Sequence, residues 1–143
     1  MSAEPYIPIA EKQRQLERAL ADLKSPQDRL AWMTQRGRAA EALPAAQRTD
    51  AHRLEGCLAR TWLAAEFDEG RCRFRADSES AIIKGIAVTL CEFFSGQTPE
   101  EVASVDPRFL ERFGVNQHLT PNRRNSLSRM FEEIRRFAAQ QRP

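Results

Sequence analysis

Helical periodicity on both sides of one antiparallel hairpin predicts an α+β fold for these 143 residues. Three observations carry that expectation. Apolar residues recur at helical spacing before residue 43 and after residue 79. Strand-like alternation is confined to residues 57–76, imperfect in the first run and clean from Arg71 to Ala76. Asp68-Glu69-Gly70 stands between the two alternating runs as a turn. With 41% apolar and 29% charged residues, and no repeat, low-complexity tract or linker, the chain is expected to form one domain over residues 1–143.

The first helix is expected from about Ile9 to Leu23, carried by Leu16, Ala19, Leu20 and Leu23. Ser25-Pro26-Gln27-Asp28 then places a cap, a proline in the first turn and an acidic third position, which opens a second helix. That helix should hold Leu30, Trp32 and Met33 and stop near Gly37, where a residue without Cβ can turn left-handed. Ala39 to Leu43 would add a turn, and Pro44 with the polar run Gln47 to Arg53 reads as a loop. In Cys57-Leu58-Ala59-Arg60-Thr61-Trp62 the period changes to that of a strand running to Phe67. In the second strand, Arg71 to Ala76, Cys72, Phe74 and Ala76 should face the core and three arginines water. Two strands alone are marginal, so a third is expected near residues 47–55. A central helix follows from about Glu79 to Ser95. Thr98-Pro99-Glu100-Glu101 opens a short helix, and Asp106-Pro107 opens another that ends at Gly114. Thr120-Pro121 opens a last one with Leu127, Met130, Phe131, Ile134 and Phe137 on its core face.

Charge and cysteine usage exclude several function classes. The 22 basic residues, 19 of them Arg, against 20 acidic ones leave a formal +2, too small for a nucleic-acid surface. Arginine in such excess favours bidentate pairing with carboxylates, within the fold or across an interface. Cys57, Cys72 and Cys91 are odd in number, in a chain long enough to bury a core without cross-links, which disfavours a secreted disulfide scaffold and fits a reducing compartment. The start MSAEPYIPIA has no signal-like pattern. The most apolar segment, AIIKGIAVTLCEFF, carries Lys84 and Glu92 and is too short to span a bilayer, so neither membrane nor nucleic acid is an expected partner and the cytoplasm is the expected location.

Chemistry narrows to Cys57. Cys72 on an inward strand position and Cys91 in the most apolar helix read as small buried hydrophobes. Cys57 follows Gly56 where a loop enters a strand, with Arg53 and Arg60 near enough in sequence to favour a thiolate. On this pattern alone, packing and reactivity both stand. No C-x2-C pair exists, and the two histidines, His52 and His118, do not complete an evident metal set. A cysteine-dependent hydrolase or acyltransferase would use Cys57 with His52 or His118 as base, but no oxyanion-hole signature accompanies it. Asp77-Ser78-Glu79-Ser80 reads as a helix cap with Glu79 complementing the positive end, ahead of an ion site. Gly85 in the middle of the central helix implies close packing or a bend, with Lys84 reaching to the surface; no phosphate-binding glycine loop accompanies that lysine.

From about Arg53 to Phe137 the chain resembles the SufE/CsdE family of cysteine-desulfurase partners. Three motifs carry the likeness: Gly56-Cys57 with Trp62 five positions on; Asp77-Ser78-Glu79 leading into Ile82-Ile83-Lys84-Gly85; and Leu119-Thr120-Pro121 with Arg123, Asn125 and Leu127. The resemblance implies helices packed around a small antiparallel sheet, and a sulfur acceptor rather than an enzyme. Cys57 would take persulfide sulfur from a desulfurase of SufS/CsdA type, stimulate it, and relay sulfur to an iron-sulfur scaffold or other acceptor. No cofactor is implied in this chain, the pyridoxal phosphate (PLP) belonging to the desulfurase, and a homodimer is a possible state. To Arg53 and Arg60, candidates from their place in the sequence for stabilising the thiolate or persulfide, the motifs add Gly56, Trp62, Asp77, Lys84 and Arg123 as supporting residues, the last placed to pin the final helix near the central one. The chain departs from its relatives at Leu58 and Ala59, where glutamine and serine are usual, at Thr61, where an apolar residue is usual, and at Ser126, where glycine is usual. A non-transferring adaptor of a desulfurase is the alternative that these departures keep in view.

Overall fold

The structure, a computed structural model, describes residues 5–57, 59–115 and 119–142. In chain order these form α1 (Ile9–Ala21), α2 (Pro26–Ala39), 3-10 turns at Ala45–Gln47 and Asp50–His52, β1 (Thr61–Asp68), β2 (Arg71–Ser78), α3 (Ala81–Phe94), α4 (Pro99–Ser104), a 3-10 segment Pro107–Phe113, and α5 (Pro121–Gln140). Side-chain caps start most of the helices. Ser25 accepts from the Asp28 amide, Ser80 from Ile83, and Thr120 from Arg123; Thr98 and Glu101 form a reciprocal capping box. The expected α+β class holds.

β1 and β2 pair antiparallel from Thr61↔Ser78 to Asp68↔Arg71. Glu69 (φ 53°) and Gly70 (φ 77°) make the two-residue connection, both left-handed as a turn matching the sheet twist requires. Cys72, Phe74 and Ala76 face the core as the alternation predicts. The expected third strand is not formed: among the described residues the sheet has two strands, and residues 47–55 contribute only an isolated bridge, Arg53↔Trp62. Local bonds win there, with Gln47 N–H donating to Pro44 O (2.8 Å) and His52 N–H to Thr49 O (3.0 Å). The outer edge of β2 is closed instead by the end of α3. Cys72 N–H donates to Gln97 O and Gly96 N–H to Cys72 O, both at 2.8 Å, and Ser95 Oγ bonds both the amide and the carbonyl of Phe74.

Of two helical glycines, Gly85 packs as expected and Gly37 does not stop its helix. α2 does not stop at Gly37 but continues to Ala39, and Gly37 lies buried inside it. A Cβ on Gly37 would sit 2.7 Å from Gly85 Cα, and one on Gly85 would sit 2.6 Å from both Met33 O and Thr34 Cα. The pair lets the α2 and α3 backbones touch, so Gly85 marks close packing and Gly37 is its counterpart rather than a helix stop. Nor do residues 39–43 add a turn: Ala40 is extended (ψ 146°), and Leu43 packs in a small cluster with Trp62 and Ala64.

α3 is the centre of the molecule, with ten of its fourteen residues buried. Aromatic pairs fasten the layers around it: Phe94 meets Phe131 of α5 edge-on at 6.0 Å, and Phe93 meets Phe109 in a tilted contact at 5.2 Å. On α5, Leu127, Met130, Phe131 and Ile134 are buried as expected, and Phe137 packs edge-on against Phe74 at 5.7 Å.

Candidate functional site

β1 begins at Thr61, four residues beyond Cys57, so the strand read from Cys57 onward starts later than its pattern suggests. Cys57 therefore lies in a loop. The base of that loop is a backbone closure, Leu54 N–H to Thr61 O at 2.9 Å, next to the Arg53↔Trp62 bridge. Within it Gly56 holds φ +83°, and Cys57 folds its side chain into the main core cluster with 8% of its surface exposed.

The three separated sequence motifs meet on this loop. From the β2–α3 junction, Glu79 takes Arg60: guanidinium Nε and one terminal nitrogen donate to Oε2 at 3.0 and 2.7 Å, and the Arg60 amide donates to Oε1 at 3.2 Å. Glu79 N–H returns a bond to Arg60 O at 2.9 Å, and Ser78 Oγ lies 2.9 Å from Thr61 Oγ1. The Arg60 side chain holds the Glu79 carboxyl below its ordinary range and is itself raised by the same bond. The guanidinium expected beside the Cys57 thiolate is thus engaged with Glu79, and Ser80 supplies the cap of α3. From α5, Asn125 Nδ2 donates to Gly56 O at 3.0 Å, and a Cβ on Gly56 would meet Arg129 Nε at 3.3 Å.

Asp77 and Lys84 form the scaffold beneath. The Asp77 carboxylate, 6% exposed as a residue, accepts from Leu43 N–H at 3.0 Å and Ser78 N–H at 2.8 Å and lies 3.4 Å from Lys84 Nζ. Lys84 turns to this buried carboxylate rather than to the surface, because a nearly dry acid without a cation would be costly. Trp62 is buried against Leu43 and Ala64. Arg53 is exposed, on the wall of a polar groove of about 400 Å3 that also holds Leu54, Glu55, Leu63 and Arg129. Arg123 gives its amide to the Thr120 cap, while the neighbouring Arg124 reaches back to Leu119 O at 2.9 Å and fixes the start of α5.

The other thiols are of a different kind. Cys72 sits in β2 and Cys91 in α3; burial pushes the first up to about 11 and the second further. His52 Nδ1 lies 3.1 Å from Thr49 Oγ1, and His118, the other candidate base, is outside the described residues, as is Leu58. Among the described residues no group of three or more His, Cys, Asp or Glu is arranged to hold a metal ion, and no helix is long and apolar enough to cross a membrane. Arg129 is absent from the sequence reading of the site. Its signal was its spacing, one helical turn after Asn125 and so on the same face.

Comparison with known proteins matches residues 14–138 to the SufE domain, described as an Fe-S metabolism associated domain. A SufE-like protein of Synechocystis sp. is 27% identical over 111 residues, covering 78% of this chain and 68% of the relative. SufE-like protein 1 of Arabidopsis thaliana, named chloroplastic/mitochondrial, is also 27% identical, over 136 residues. That match takes in 94% of this chain but only 37% of the plant protein's length. In three dimensions the fold matches the solution structure of a hypothetical protein from Thermus thermophilus, with a TM-score of 0.74 at 20% identity, over 95% of this chain and 97% of the other.

Proposed function

The chain belongs to the SufE family, associated with Fe-S metabolism, and from that premise we propose that it is a sulfur acceptor whose Cys57 takes sulfur from the persulfide of a cysteine desulfurase. The observation that carries this reading is the contrast among three thiols: Cys72 and Cys91 are locked into a strand and a helix with raised pKa, whereas Cys57 alone lies on a loop. In the transfer, the Cys57 thiolate attacks the outer sulfur of the donor's Cys-S-SH. A new S–S bond forms at Cys57, the donor's S–S bond breaks, and the donor leaves as a thiolate, so no external oxidant or reductant is consumed. Cys57 then carries S-SH to a downstream acceptor such as an iron-sulfur scaffold.

At 8% exposure Cys57 must leave its pocket to be reached, and Gly56 is the hinge suited to that movement. Shielding at rest limits oxidation of the carried persulfide, and exposure follows partner contact. The partner fitting this role is a pyridoxal-phosphate desulfurase of SufS/CsdA type, which this chain stimulates without turning over substrate itself. Its setting is the cytoplasm, where free thiols persist. Arg53, exposed at the base of the loop, is open to the emerging sulfur or to the partner, whereas Arg60 is held by Glu79.

Incubation with a desulfurase and cysteine, followed by mass mapping, tests the reading. One added sulfur atom on Cys57 is the expected result. Stimulation of the desulfurase that survives Cys57→Ser, with no sulfur on Cys57 in the wild type, would replace the acceptor by a docking adaptor.

A further inference from the structure

We infer that Asn125 and Arg129 of α5 are positioning residues that clamp the Cys57 loop shut by holding Gly56, so that contact with this face of α5 governs when Cys57 emerges. This inference rests on Cys57 being the residue that must be exposed for sulfur transfer.

The loop's tethers are unequal. Its base is held by backbone pairing between residues 53–54 and 61–62, and its trailing limb by Arg60 and Glu79. Between these anchors, Asn125 Nδ2 of α5 donates to Gly56 O at 3.0 Å. The guanidinium of Arg129 lies over the same glycine, with Nε 3.3 Å and a terminal nitrogen 3.5 Å from where a Cβ would stand. Gly56 is suited to its φ of +83°, and a Cβ there would press the flexible Arg129 side chain aside by a few tenths of an ångström. Glu132, one turn on, lies 3.3 Å from Arg129 and orients the guanidinium.

Geometry also makes the clamp releasable. Asn125 is exposed and the Arg129 side chain is 45% exposed, so a partner can reach both without first touching the buried sulfur. The groove of about 400 Å3 lies open beside Arg129, between the loop base and α5. One side chain bonding a carbonyl and one covering an α-carbon make a weak hold compared with a backbone ladder. The middle of the loop therefore opens while its ends stay paired.

The test is the rate of iodoacetamide alkylation at each cysteine of the intact protein, read by mass mapping. Loss of one net hydrogen bond shifts an opening equilibrium about fivefold. Asn125→Asp, nearly isosteric and unable to donate, should raise the Cys57 rate about fivefold or more. Asn125→Ala, which adds no charge, and Arg129→Ala should raise it in the same direction. Cys72 and Cys91 serve as internal controls and should keep their wild-type rates, because a clamp releases only its loop whereas loss of structure exposes all three. Unchanged Cys57 rates in these variants, or a parallel rise at all three cysteines, overturns the clamp. Alkylation needs no desulfurase, so the two readings fail separately. Sulfur loading on Cys57 with unchanged alkylation in the variants sinks the clamp alone. Faster alkylation in the variants without sulfur loading sinks the acceptor reading alone.

Discussion

Gly85→Ala sets two effects of opposite sign against each other in the centre of the molecule. As an interior position of α3, it should gain about 1 kcal/mol from alanine's helix propensity. The same Cβ, however, would stand 2.6 Å from Met33 O and Thr34 Cα and 2.7 Å from Met33 C, where carbon contacts prefer about 3.5–4.0 Å. All three atoms are backbone, so no rotamer change relieves them and α2 must move away by roughly an ångström. Overpacking of a dense core costs about 1–3 kcal/mol, and a gap opening along the α2–α3 contact adds lost dispersion across the most extensive helix pair in the fold. The contact should outweigh the propensity, leaving the variant about 1–2 kcal/mol less stable, equivalent to a Tm lower by about 3–7 °C for a chain of this size. Urea denaturation at fixed pH measures it through the midpoint at unchanged slope. Gly37→Ala should act similarly, its Cβ lying 2.7 Å from Gly85 Cα, and the double variant should cost less than the sum because the helices have already parted. A Gly85→Ala protein as stable as wild type, or more so, would refute the close-contact account and leave propensity as the ruling effect.

Three further outcomes are expected. Thr98→Ala removes the side chain that caps α4 and answers Glu101, and should cost about 1 kcal/mol in denaturant titration. Burial raises the Cys72 thiol from 9.0 to about 11, so the folded state keeps a proton that the unfolded chain loses. This contribution is intact below pH 9 and declines as pH rises toward 11, and Cys72→Ala should flatten that alkaline fall in a stability-pH series. The Glu79 carboxyl is lowered from 4.5, chiefly by Arg60, so its contribution is present above that pH and lost as pH falls through the folded value. Glu79→Gln should be less stable than wild type at neutral pH, with faster Cys57 alkylation, and the stability gap should close in acid.

Local signals were strong where the chain's own chemistry decides the outcome. Ser25, Thr98 and Thr120 cap the helices their spacing announced, and Asp68 to Arg71 turns where the pattern changes. Signals were weak where distant segments compete. Gly37 has the composition of a helix end, yet its partner is Gly85, 48 positions on, and only the crossing of two helices reveals that relation. Residues 47–55 were expected to add a strand, but they turn through local bonds and meet β1 only around the Arg53↔Trp62 bridge, while Ser95–Gln97 close the edge of β2.

For the candidate site, the sequence by itself determined which cysteine stands apart. Gly56-Cys57 breaks the apolar patterns that enclose Cys72 and Cys91, and the three motifs around it mark the SufE family. Only the tertiary structure decided what surrounds that cysteine. Arg60, adjacent in sequence, turns to Glu79, while Arg129, 72 positions away, comes to rest on Gly56. The reason is physical: capping and turn preferences act over a few residues and are written in local order, whereas the partner of a guanidinium is chosen by which carboxylates and carbonyls the packed helices bring within reach.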